Sequence, residues 1–128
     1  MKKNCPKLTQ EKCVLVYDDD EEIRNITSII LSEEYKQVEV RSNCQNLFED
    51  ICNLKPHLIL MDIRMPFIDG EYAIELLHAN EKTKNIPVVV FSASFNIKKV
   101  SKRINATAMI EKPFNIDDLR EIVRKHIA

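Results

Sequence analysis

Cys13-Val14-Leu15-Val16-Tyr17-Asp18-Asp19-Asp20 is the stretch on which the fold turns. An unbroken apolar run with two β-branched residues stops abruptly on three acids. Such a run suits a strand covered on both faces, as in a parallel sheet, rather than a half-exposed strand that alternates. Downstream, Ile23, Ile26 and Ile30 repeat at helical spacing and predict an amphipathic helix reaching about Tyr35. Asp20 reads as its N-cap.

The same switch of period recurs along the chain. Gln37-Val38-Glu39-Val40-Arg41 alternates and predicts a second strand, nearer an edge. Leu47, Ile51 and Leu54 mark a helix capped by Ser42 or Asn43 and closed before Pro56. His57 to Met61 is a third strand ending on Asp62, and a loop from Ile63 to Gly70 leads to a helix carrying Ala73, Ile74 and Leu77. Pro87 to Phe91 is a fourth strand ending on Ser92, and Ile97, Val100 and Ile104 place a shorter helix after it. Ala106 to Ile110 is a weak fifth strand, followed by Glu111-Lys112-Pro113-Phe114. Asn115, with Asp118 three residues on, caps a last helix through His126 whose stripe is Leu119, Ile122 and Val123. This alternation predicts an α/β domain with a five-stranded parallel sheet, helices on both faces and right-handed crossovers. Residues 1–11 are polar and patternless and read as a flexible leader, with the domain occupying 12–128.

Composition narrows the function. The chain has 128 residues with 19 basic and 20 acidic side chains, a formal net charge of −1. Without a basic excess, direct nucleic-acid binding is not expected. With 45% hydrophobic and 30% charged residues the chain suits a folded soluble domain. No apolar stretch approaches the length of a membrane span, and no apolar segment of a signal peptide follows Met1-Lys2-Lys3-Asn4. The expectation is a cytoplasmic protein with no membrane contact. Cys5, Cys13, Cys44 and Cys52 form no closely spaced pairs and the three histidines are scattered, which speaks against zinc. The thiols are expected to be reduced, with Cys13 and Cys52 half-buried. The single glycine, Gly70, excludes a glycine-rich phosphate loop.

In an open parallel sheet, ligands sit at the carboxyl ends of the strands. There stand Asp18, Asp19 and Asp20, then Asp62, then Ser92, with Lys112 after the fifth strand. Crowded carboxylates repel unless a cation joins them, and hard oxygen donors favour Mg²⁺ over zinc. A nucleophilic Asp, a cation, a lysine and a hydroxyl make a kit for phosphoryl transfer, where charge neutralisation dominates. Each residue also has a plainer reading: the acids as helix cap and turn, Lys112 as a solvated loop lysine, Ser92 as a cap.

Val14-Leu15-Val16-Tyr17-Asp18-Asp19-Asp20-Glu21, Leu60-Met61-Asp62-Ile63-Arg64-Met65-Pro66 with Asp69-Gly70, Val90-Phe91-Ser92-Ala93 and Glu111-Lys112-Pro113-Phe114 together resemble a response regulator receiver domain over residues 13–127. The resemblance implies a flavodoxin-like three-layer fold with strand order 2-1-3-4-5. It implies Asp62 as phosphoacceptor, served by a sensor histidine kinase or histidine phosphotransfer protein. Asp19 is then a direct Mg²⁺ ligand, Asp18 assists through water, and the Arg64 carbonyl is a further ligand. Lys112 meets the phosphoryl oxygens through a loop whose Lys112–Pro113 bond is cis, and Ser92 hydrogen-bonds the phosphoryl group. Such a protein catalyses only its own phosphorylation and dephosphorylation, and it signals to a downstream protein target.

Two departures qualify the resemblance. Met109 stands where the family usually carries Tyr or Phe, which predicts a muted or altered switch. Arg64, two residues after Asp62, either shields the phosphoryl group or pairs with Glu21 or Asp69, while Ser94 leaves the other approach open. With two residues after His126, no fused output domain is expected unless the chain is part of a larger regulator or hybrid kinase. A homodimer is left open. A pseudo-receiver without chemistry is the competing class. A dehalogenase-type phosphatase wants an acid where Arg64 stands, and a flavodoxin wants hydroxyls where the three acids stand.

Overall fold

In the computed structural model, which describes residues 11–65, 67–92 and 106–128, the opening run is strand β1 (Cys13–Tyr17). It is followed by α1 (Glu21–Ser32), β2 (Gln37–Arg41), α2 (Leu47–Leu54) and β3 (Leu58–Asp62). Then come α3 (Gly70–His78), β4 (Val88–Ser92), β5 (Ala108–Glu111) and a last helix, here α4 (Ile116–His126). The strands form one parallel sheet in the order β2-β1-β3-β4-β5. The expected α/β architecture and strand order are therefore met. Residues 1–10 of the expected leader, the helix over 97–104 and the Ser94 position lie outside the described residues.

The unbroken apolar runs make sense once both faces are covered. On β1, Leu15 and Tyr17 join Ile59, Met61, Val88 and Val90 in a core under α2 and α3, closed by Ile51, Ile74 and Leu77. Val14 and Val16 point the other way, with Leu58, Leu60, Val89 and Phe91, into a core under α1 and α4 closed by Ile30, Leu31, Leu119 and Val123. Period two therefore sorts one continuous run into two cores. At roughly 1.5–3 kcal/mol per buried aliphatic side chain, these two layers dominate the stabilisation.

Helix ends follow the expected chemistry at two places. Asp20 caps α1, its side chain accepting from the N–H groups of Glu22 and Ile23 at 2.9 and 3.4 Å. Asn115 caps α4, accepting from Asp118 N–H at 2.7 Å. Elsewhere the structure differs. Helix α2 starts after Asn46, and Asn43 accepts instead from Gln45 N–H in a turn ahead of it. Ile26 is exposed on α1, where Thr27, Ile30 and Leu31 are the buried face, and the helix stops at Ser32 rather than near Tyr35. Cys13 and Cys44 are fully buried and Cys52 is exposed, so neither Cys13 nor Cys52 is half-buried.

Candidate functional site

The parallel arrangement carries the ends of β1 and β3 and the exit of β5 to one edge. Register places Tyr17 beside Met61, so Asp18 and Asp62 leave neighbouring strands almost level. Asp18 is wholly buried and both its oxygens are engaged. One accepts from Lys112 Nζ at 2.7 Å and the other from Asp20 N–H at 2.9 Å. Arg24 donates to the Asp18 carbonyl at 2.9 Å, a support that no sequence pattern singled out.

Asp62 is 5% exposed, and Lys112 Nζ lies 3.7 Å from its Oδ2. Its Oδ1 accepts weakly from Arg64 N–H at 3.4 Å. Burial, and then the charge of Asp18, push the Asp62 carboxyl up to about 7, against the opposing pull of Lys112 and the Arg64 N–H. Asp19 is exposed and, among the described residues, its carboxylate accepts no hydrogen bond and joins no ion pair. One carboxylate oxygen from each of Asp18, Asp19 and Asp62 lies within 4.8 Å of the others.

Lys112 is held rather than solvated. Its ammonium also sits 4.9 Å over the Phe91 ring, which packs on Phe114 at 6.1 Å between centroids. The Lys112–Pro113 peptide is cis, as the resemblance implied. Ser92 ends β4 opposite Glu111 of β5, with its side chain outside the described part of the structure. Arg64 is exposed and pairs with neither Glu21 nor Asp69 among the described residues. Arg64, Asp19, Ile63, Met65 and Asp69 line an open depression of about 540 Å³ beside the acids.

Sequence reasoning missed the role of Gly70. A Cβ there would stand 2.1 Å from the Asp62 carbonyl oxygen and 2.9 Å from the Ile63 Cα. The entry of α3 thus rests directly on the backbone of Asp62, locked by Gly70 N–H to the Ile63 carbonyl at 2.8 Å. Close approach, not turn geometry, demands the glycine.

The donor set fits a hard dication. Three carboxylates gather beside one lysine, the exposed acid has an unengaged carboxylate, and burial together with the neighbouring Asp18 charge makes an ionised Asp62 costly without a further cation.

The comparisons agree with this geometry. A family model described as the response regulator receiver domain matches residues 14–124. Sporulation initiation phosphotransferase F of Bacillus subtilis (strain 168) is 28% identical over 117 residues, covering 89% of this chain and 92% of that protein. The transcriptional regulatory protein KdpE of Staphylococcus aureus is 28% identical over 113 residues, but the chain spans only 48% of its length. Among solved structures, a CheY-like receiver domain protein from Methanospirillum hungatei JF-1 matches with a TM-score of 0.79 and 28% identity, covering 91% of this chain and 93% of that one. The chain belongs to the response regulator receiver family and is a receiver domain of two-component signalling.

Proposed function

From that membership we propose that Asp62 accepts a phosphoryl group from the phosphohistidine of a sensor histidine kinase or histidine phosphotransfer protein, in a Mg²⁺-dependent reaction. The observation that carries the reading is Lys112, shared between buried Asp18 at 2.7 Å and buried Asp62 at 3.7 Å, beside an unengaged Asp19. An ionised Asp62 oxygen forms the new bond to phosphorus as the bond from phosphorus to the imidazole nitrogen breaks. The imidazole leaves with that electron pair. Lys112 needs to shift only from Asp18 towards Asp62 to meet the incoming oxygens. The Ser92 hydroxyl donates to the phosphoryl group once it is in place. Asp19, Asp62 and the Arg64 carbonyl would hold Mg²⁺, with Asp18 assisting through water, and the ion would supply positive charge to the transferred group.

Arg64 is exposed and lines the depression beside Asp19 with no carboxylate partner among the described residues, which supports its shielding the acyl phosphate from water. For output, β5 and α4 flank a depression of about 500 Å³ lined by Met109, Ile110, Glu121 and Ile122. Its lining mixes apolar groups with charges of both signs, Glu121 and Lys125 among them, which supports a downstream protein as the receiver of the signal. Methionine has no ring to turn inward or outward, which supports a muted or altered switch at this face. Among the described residues no helix is long and apolar enough to cross a membrane, which supports a cytoplasmic location.

Intact mass after incubation with acetyl phosphate and Mg²⁺ tests the reaction. One added phosphoryl group is expected on the native chain, and none on Asp62→Asn or with chelator present. An adduct that survives Asp62→Asn would overturn the assignment of the acceptor. Absence of any adduct, together with no fluoroberyllate binding, would favour a pseudo-receiver.

A further inference from the structure

At the end of the sheet opposite the acids, α2 and the turn after α3 enclose a cavity of about 570 Å³. That size falls in the range of about 300–1,000 Å³ typical of small-molecule sites. Its floor is apolar, formed by Phe48, Ile51, Pro56 and Ile86. Among the described residues no carboxylate lines it.

The polar groups at its rim are donors. Lys55 and Lys82 are exposed and form no ion pair among the described residues. His57 Nδ1 accepts from Cys13 N–H at 3.1 Å, which leaves the proton of the neutral ring on Nε2. Asn80 spends its Oδ1 on Lys82 N–H at 2.8 Å, so its NH₂ remains to donate. Thr83 turns its hydroxyl away, donating to the Leu77 carbonyl at 2.7 Å. Lys55 holds its place in the left-handed conformation, φ 50°, as the C-cap residue of α2. Glycine is the usual occupant of that conformation, and here the chain sets a cation instead.

We propose that this cavity is a binding site for a small amphipathic carboxylate, with the aliphatic body on Phe48, Ile51 and Ile86 and the head group met by Lys55, Lys82 and His57. An apolar floor with a donor-only rim is complementary to an acid with a hydrocarbon tail. It offers no carboxylate to an ammonium. The site lies apart from Asp62, so binding and phosphoryl transfer are read separately.

Titration of the full chain with decanoate, decanol and decyltrimethylammonium, followed by ¹H–¹⁵N spectra, tests the proposal. Decanoate is expected to saturate below about 1 mM, with shifts confined to residues 48–57 and 80–86. It should also slow alkylation of exposed Cys52 on the cavity wall, read by peptide mapping. Decanol should bind at least about tenfold more weakly, and the ammonium not at all. Lys55→Gly combined with Lys82→Gln removes both cations while relieving the left-handed position, so the variant should fold at least as well. It should lose about tenfold in decanoate affinity and nothing for decanol. Equal binding of decanol and decanoate, an unchanged affinity in the double variant, or shifts centred elsewhere would each overturn the site.

Discussion

Two charged regions of this domain are built on opposite terms. Where α1 meets α4, Glu33 pairs with Arg120, and Glu34 takes Arg124 through two hydrogen bonds of 2.7 and 2.8 Å. Two acids meet two bases there, at a half-exposed seam. At the carboxyl edge of the sheet, Asp18 and Asp62 share Lys112, and Asp19 stands beside them with no ion pair among the described residues. The seam is neutral and joins two helices. The edge is short of positive charge, and burial makes the shortage costly enough to push the Asp62 carboxyl to about 7. Balanced pairs hold a fold together, whereas an unbalanced cluster keeps an affinity in reserve for cations and for a group that carries them.

The contrast can be broken most severely at Lys112. Lys112→Ala should slow phosphoryl uptake from acetyl phosphate by about 10²-fold or more, as loss of one preorganised charge does, measured by timed intact mass. Fluoroberyllate binding should weaken alongside it. Gly70→Ala drives a methyl group into the Asp62 carbonyl, and overpacking of that kind costs about 1–3 kcal/mol. Chemical denaturation should show that loss, and the phosphorylation rate should fall as Asp62 is displaced.

Removing a charge from the crowded edge should instead stabilise the metal-free protein. The unfolded Asp62 carboxyl ionises near 3.8 and the folded one near 7. As pH rises through that window the unfolded state ionises first and the native chain loses stability. Asp62→Asn abolishes this loss. Its advantage should vanish below about pH 4 and be complete above about pH 7, at roughly 1–2 kcal/mol once residual hydration is allowed for. Thermal melts in chelator across this range read it directly, and Mg²⁺ should narrow the gap by stabilising the native chain.

Arg64→Ala should shorten the life of the acyl phosphate by about fivefold, the worth of one charge-assisted contact of roughly 1 kcal/mol. Single-turnover dephosphorylation is the measurement. At the other pole, Arg124→Ala should cost at most about 1 kcal/mol and progressively less as salt is added. Phosphorylation should be untouched. A large effect there would make the seam part of the switch and erase the contrast.

Much of this was legible before any coordinates. Asp18, Asp62 and Lys112 follow strands whose apolar runs admit one register, because a slip of one residue would send every side chain to the wrong core. The α1 stripe was legible only in part: Ile30 is buried and Ile23 packs on the core, but Ile26 is exposed and Thr27 and Leu31 complete the buried face, an alternative that fits helical spacing equally well. The packing of α1 on the sheet and on α4 decides between them. Gly70 was visible as a residue but not as a need, since the obstacle is the Asp62 backbone, eight positions away. The preference of Lys112 for Asp18 over Asp62 likewise depends on distances that no spacing encodes.

The sheet that splits β1, β3 and β4 between two cores has one more consequence. It acts as a bulkhead. Substitutions at Leu15 and Ile59 share neighbours in one hold, and those at Val16 and Leu60 share neighbours in the other. Within a hold their energies should couple, and across the wall they should add. One compartment can therefore be rebuilt by directed evolution while the other keeps the vessel afloat.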